Sequence, residues 1–204
     1  MKTLFFALLI FFFLVVLFIF LYPIIKKRIL RKNPIKFYYH NIYKLANAED
    51  YYLINSLSLE SNDGKALNID HLLFGDHYIF SILDCYFDGA LSYKPEDNSW
   101  VFYYGSKKSP KIKYIDNPLL INSKRINKFS LLTGLDKTYI ISIVLVNDDC
   151  LFNDYVDENK TTFLIHRKCL NKIIKECENR NVPPLKKEQL TYVVHDIARL
   201  NIKK

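Results

Sequence analysis

The segment NIDHLLFGDHYIFSILDCYFDG, residues 68–89, carries four carboxylates and two histidines: Asp70, His71, Asp76, His77, Asp84 and Asp88. Two acids at the ends of neighbouring strands would offer hard oxygen ligands to Mg²⁺. A metal held that way polarises a phosphate and helps generate hydroxide, which is the chemistry of phosphodiester hydrolysis.

Asp70 closes an alternating apolar run, and a second run ends on Leu83, Asp84, Cys85 and Tyr86. His71 follows Asp70 and therefore points away from it. His77 lies in a turn. Both histidines read more plainly as hydrogen-bonded or solvent-facing groups than as metal ligands. Asp88 precedes Gly89 and reads as a turn residue. Asp70 also has a plain reading, as a strand-end acid accepting backbone N–H bonds.

The elements that must position these residues follow from periodicity. Residues 35–50 read as a short helix with an apolar side at Phe37 or Tyr38, Ile42 and Leu45. Residues 51–59, 66–74 and 78–87 read as three strands, separated by the turns SNDGK (61–65) and GDH (75–77). Residues 99–104 give a fourth strand, with Trp100, Phe102 and Tyr104 on one face. The polar stretch 105–118 reads as a loop or an edge strand. Asn117-Pro118 has the signature of a helix start, with Asn as cap and Pro in the first turn. Residues 138–147 are nearly all apolar and β-branched, as in a strand covered on both faces. An acidic loop (148–160), a short strand (161–165) and two amphipathic helices (167–179 and 186–200) complete the chain. The expected fold class is α/β: one three-layer domain around a central mixed sheet, preceded by a transmembrane helix.

Residues 4–21 contain 18 residues without a polar side chain. About 20 such residues cross the hydrocarbon core of a bilayer. Tyr22 occupies an aromatic-belt position, Pro23 marks an exit, and Lys26, Lys27, Arg28, Arg31 and Lys32 follow. A signal peptide would carry its charges before a shorter apolar run and small residues at the cut. The expected division is an anchor (1–25), a basic juxtamembrane linker (26–36) and a domain (37–204). The excess of cations after the span places the domain in the cytoplasm and the N-terminus outside, on a single-pass protein of the cell membrane. Those cations can pair with anionic headgroups.

The formal charge of +8 is unevenly spread. Residues 1–32 contribute +6, residues 33–164 carry −4, and residues 165–204 carry +6. The high pI is thus mainly a membrane signal plus a basic C-terminal end, whose plainer reading is a solvated helix face. Cys85, Cys150, Cys169 and Cys177 lack a C-x-x-C pair and zinc-type spacing, and read as free thiols in a reducing compartment. Phosphate-cradling glycine motifs, G-x-S-x-G and H-E-x-x-H are absent, and the chain has only five glycines from which to build a cradle. The many tyrosines in predicted strands could stack single-stranded bases, although a Tyr-rich core and surface is the commoner outcome.

The order helix, strand, strand ending in Asp, strand ending near a charged residue resembles the restriction-endonuclease-like core. More specifically it resembles the nuclease-related domain (NERD) family, often found on membrane-anchored or multidomain bacterial proteins. NIDHLLF is similar to the family's qIDHvvv, YIFSILDCYFDGAL to GvfvIEtKnysGei, DNPLLIN to NPvrQn, and YIISIVLV to a later apolar strand. The resemblance implies divalent-metal hydrolysis of phosphodiesters. Laid on the motif, Asp70 stands at the metal-binding Asp. Leu83 stands where the metal-binding Glu belongs, Cys85 where the Lys belongs, and Ile121 at the NPxxQ glutamine. The first-helix acid falls near Tyr39 or His40.

Only Asp70 keeps its polar group. Asp84 is one residue out of phase with Leu83, so its side chain points to the opposite face unless a β-bulge turns it back. The leading expectation is a membrane-anchored, catalytically inactive pseudoenzyme domain that binds or scaffolds at the membrane with a protein partner. It would need no cofactor. The alternatives are a Mg²⁺-dependent nuclease rearranged around Asp70 and Asp84, with Asp70 as metal ligand, and a non-catalytic binder of single-stranded nucleic acid.

Overall fold

The computed structural model describes residues 2–32, 34–60, 64, 66–106 and 109–202. The turn residues Asn62 and Asp63, and the side chains of Lys27, Arg31 and Lys32, lie outside what is described.

The N-terminal helix α1 spans Lys2–Lys32 with Pro23 inside it. It thus runs past the expected exit and takes up most of the expected linker. Proline removes one backbone donor, but the KKRILRK stretch that follows is rich in good helix formers, and the helix continues. Within α1, the stretch Leu8–Leu30 contains an 18-residue window of mean hydropathy 3.1, none of it buried, so this helix is long and apolar enough to cross a membrane. α2 (Ile35–Ala48) begins three residues after α1 ends.

Six strands form the central mixed sheet, in the order β1-β2-β3-β7-β9-β8. β1 (Tyr52–Leu59), β2 (Leu67–Phe74) and β3 (Ile79–Cys85) are an antiparallel meander; β3, β7 (Ile140–Val146) and β9 (Thr162–His166) are parallel. β8 (Tyr155–Val156) is a two-residue edge strand inside the stretch expected to be loop. Every residue of β7 is buried, because helices cover both sides. α2 and α4 (Leu170–Glu178) pack on one face through Tyr38, Ile42, Ile174 and Cys177 against Phe80, Ile82, Ile141 and Ile143. α3 (Pro118–Thr133) and α5 (Lys187–Arg199) pack on the other through Ile126, Phe129, Leu190 and Ile197 against Leu72, Phe74, Ile79 and Ile140.

The fourth predicted strand does not extend the meander. β4 (Gly89–Ser92), β5 (Ser99–Ser106) and β6 (Ser109–Asp116) form a separate antiparallel sheet, and the polar stretch after residue 104 is its edge strand β6. The chain can turn away because Gly89 lies against β5: a Cβ there would meet the Tyr103 carbonyl oxygen at 1.9 Å. Trp100, 1% exposed, joins this small sheet to Leu83, Val144 and Val146 of the large one. Asn117 caps α3 as expected, accepting from the N–H groups of Leu119 and Leu120 and donating to the carbonyls of Pro95 and Asp97.

One irregularity lies beside the candidate residues. Ser56 sits in the left-handed region, with φ 53°. Ile54 and Leu57, which strict alternation would place on opposite faces, both enter the α3-side core. The β1–β2 ladder pairs Asn55 with His71 and Leu57 with Ile69, and skips Ser56 and Asp70 between them.

Candidate functional site

Asp70 leaves the ladder where β2 and β3 diverge, since the last β2–β3 pair before the separation is His71 with Ile82. The backbone N–H of Asp84 therefore has no strand partner on that side, and the Asp70 carboxylate replaces it: Oδ2 accepts from Asp84 N at 3.0 Å. Oδ1 faces Arg125 of α3, whose Nη1 donates at 3.4 Å. Arg125 reaches across 55 residues of sequence. It lies one turn beyond the inward-facing Asn122 on the helix face turned to the sheet, and that position is the only sign of it in the sequence.

The positions where the family carries its other polar groups meet at the same place. Leu83, Cys85 and Ile121 all belong to the apolar cluster of Trp100, Leu119 and Val144. Burial pushes the Cys85 thiol well above the ordinary range, the charges of Asp84 and Asp70 add to the rise, and Arg125 opposes it. Tyr39, at the first-helix position, is 42% exposed and stacks on Tyr43.

Asp84 points to the opposite side of the sheet from Asp70. The β3–β7 register is unbroken through Asp84 opposite Leu145 and Cys85 opposite Val146, so no bulge returns Asp84 to the Asp70 side. Its partner is His71, whose Nε2 lies 2.6 Å from Asp84 Oδ2 with both side chains fully buried. His71 Nδ1 donates to Asn55 Oδ1 at 2.5 Å. The result is a buried Asn55–His71–Asp84 chain, joining two residues that the sequence treats separately. Asp84 Oδ1 has no hydrogen-bond partner among the described residues. Burial pushes the Asp84 carboxyl up to about 6, against the lowering effect of the His71 hydrogen bond. Tyr38 of α2 closes the neighbourhood: its hydroxyl donates to the Cys85 carbonyl at 2.6 Å, and burial, with the Asp84 charge second, raises its pKa.

These donors do not fit a magnesium ion. Asp70 supplies a single carboxylate already committed to an N–H and a guanidinium, and the other motif positions hold a leucine, an isoleucine and a partly buried thiol. Magnesium demands several oxygen ligands in near-octahedral geometry. No three His, Cys, Asp or Glu side chains among the described residues are grouped to hold a metal ion. No chemical step through a metal follows from this arrangement.

The remaining residues singled out in the sequence serve the fold. His77 lies in the β2–β3 turn, where Glu178 of α4 accepts from its backbone N–H at 2.8 Å, from its Nδ1 at 3.0 Å and from Tyr78 N at 3.3 Å. Asp88 lies in the bend before β4. The basic C-terminal end pairs with acids elsewhere: Arg167 with Asp148, Lys175 with Glu49 and Lys187 with Asp50. The four cysteines are free, and Cys150 and Cys177 are buried. A polar knot that sequence reading misses lies under α3, where Asn122 Nδ2 donates to Ser81 O and Ser142 Oγ at 2.9 Å each.

The sequence model of the nuclease-related domain family matches residues 36–147. That stretch runs from α2 through β7 and includes Asp70, Leu83, Cys85, Ile121 and Arg125. Comparison with curated proteins and with solved structures gives no match.

Proposed function

The chain belongs to the nuclease-related domain family, and we propose that it carries that domain as a non-cleaving binding module held at a membrane. The observation that carries this reading is the company of Asp70. The family's metal chemistry needs a second carboxylate and a lysine beside it, and this chain offers Leu83, Cys85 and an arginine that already neutralises Asp70. A lone acid next to a guanidinium has no free charge with which to attract a divalent cation. A mixed α/β fold with a central mixed sheet fits a nuclease-like domain, and in this reading a restriction-endonuclease-like scaffold persists while its reacting groups have become packing.

The membrane part of the reading rests on α1, with its candidate span Leu8–Leu30, and on the cations of residues 26–32. The domain lies on the cation-rich, cytoplasmic side with the N-terminus outside. The basic end of α1 sits among anionic headgroups, where Lys26 stands 5.9 Å from the Tyr22 ring centre. A protein partner engaged at the membrane surface completes the scaffolding role.

The test is incubation of the full chain in detergent micelles with plasmid, single-stranded DNA and RNA, in Mg²⁺ and in Mn²⁺. The expected result is no cleavage above that of the Asp70→Ala variant. Cleavage abolished by Asp70→Ala would overturn the reading.

A further inference from the structure

We propose that the β5–β6 hairpin is a second membrane contact, lying in the headgroup layer of the anionic bilayer that α1 spans. The inference rests on the membrane reading above and adds an orientation of the domain to it.

Topology fixes which pole of the domain faces the bilayer. The candidate span Leu8–Leu30 already includes the cations Lys26, Lys27 and Arg28, and α2 starts at Ile35. α1 stays helical through Lys32, at about 1.5 Å per residue, so Phe37 is within a reach of at most about 27 Å of Lys26, where the cations begin. α2 runs antiparallel to β3. Its first turn sits at the C-terminal end of that strand, with Phe37 edge-on to Tyr86 at 5.7 Å and Tyr38 bonded to the Cys85 carbonyl. Tyr86 in turn lines a cavity of about 360 Å³ together with Phe87, Phe102, Tyr104 and Lys113. The hairpin is thus one cavity's width from the residues that follow the membrane helix. The C-terminus of α3 lies at the other pole, near the start of β3.

The hairpin has the composition of an interfacial element. On one face Tyr103 is paired with Ile112, and Val101 with Tyr114. Tyr103, Ile112 and Tyr114 are 40%, 59% and 72% exposed. On the other face Tyr104 is paired with Lys111, and Phe102 with Lys113. Tyrosine suits the boundary between headgroups and acyl chains, and lysine stems lie along apolar surface while the ammonium reaches phosphate. An aliphatic residue at the centre of the patch, Ile112, gains by entering lipid and gains little against a nucleic-acid backbone. The α1 tether also holds the hairpin at high effective concentration beside the lipid, so a modest patch suffices.

The test uses the full chain reconstituted in phosphatidylcholine/phosphatidylglycerol vesicles. Ile112→Cys is labelled with an environment-sensitive nitrobenzoxadiazole, and Leu131→Cys, 86% exposed on α3, serves as the distal control. Signals are read against the labelled parent chain. The expected result is emission at residue 112 that is blue-shifted and quenched at least twofold by headgroup-region nitroxide lipids, with no such change at residue 131. The double variant Lys111→Glu/Lys113→Glu should lose most of that quenching. Equal signals at 112 and 131, in protein that resists alkaline carbonate extraction, would overturn this proposal and leave the membrane anchor standing. Extraction by carbonate would overturn the anchor and the proposal with it. A response at 112 to a single-stranded oligonucleotide but not to lipid would overturn the proposal in favour of nucleic-acid binding.

Discussion

Replacing Asp84 by Asn should change how stability depends on pH, by an amount that the burial of this carboxyl sets. Asp84 is 5% exposed, its Oδ1 has no partner among the described residues, and its pKa rises from 3.8 to about 6. The folded state therefore holds this proton more tightly than the unfolded chain does. The corresponding stability is fully present below pH 3.8 and is lost as pH rises through about 6. A rise of that size corresponds to about 3 kcal/mol. Other carboxylates titrate over the same range in the opposite sense, so the informative quantity is the difference between wild type and Asp84→Asn, in which this group cannot ionise. Trp100 is the only tryptophan and is 1% exposed, which makes its emission a reporter of domain unfolding. Urea titrations of the full chain in detergent at intervals from pH 4 to pH 7 should show wild type losing roughly 2–3 kcal/mol relative to Asp84→Asn across that range. A difference that stays constant with pH would refute the assignment of a buried, proton-holding carboxyl to the Asn55–His71–Asp84 chain.

Substitutions at two further positions probe the supports of the site and of the β2–β3 turn. Arg125→Ala removes a half-buried partner 3.4 Å from Asp70, while the Asp84 N–H bond to Asp70 remains. The expected loss is about 1 kcal/mol, measured by the same emission titration, with no gain of metal-dependent cleavage. Glu178→Ala leaves the His77 and Tyr78 N–H groups without their acceptor and should cost about 2–4 kcal/mol. Glu178→Gln, which keeps a carbonyl oxygen, should recover part of that loss in parallel titrations. Gly75 belongs to the same unit, since a Cβ there would meet the Glu178 carboxylate at 2.2 Å.

Much of the scaffold is legible in local pattern. Alternation in residues 51–59 and 66–74, the unbroken apolar run of β7 and the Asn117-Pro118 start of α3 each specify their element with little help from the rest of the chain. What escapes is set by contacts far apart in sequence. Residues 99–104 read simply as a fourth strand after the first three, and the contact between Gly89 and the Tyr103 carbonyl shows that a new sheet begins there. β8 is two residues long and exists because Leu164 and Phe163 pair with it. Pro23 reads as a terminus, yet the helix-forming residues after it carry α1 onward. At the site, the opposed directions of Asp70 and Asp84 follow from strand periodicity. That His71 would be the group waiting for Asp84, and Arg125 the cation waiting for Asp70, depends on strand register and helix placement across 13 and 55 residues.

The central claim is that the Asp70 position has lost the donors that hold a divalent ion. Titration of the full chain with Mn²⁺, followed by the loss of the free-ion electron paramagnetic resonance signal, tests it without reference to any substrate. The account predicts that wild type and Asp70→Ala give the same weak, non-saturating curve. One equivalent of tightly held Mn²⁺ in wild type, absent in Asp70→Ala, would contradict it.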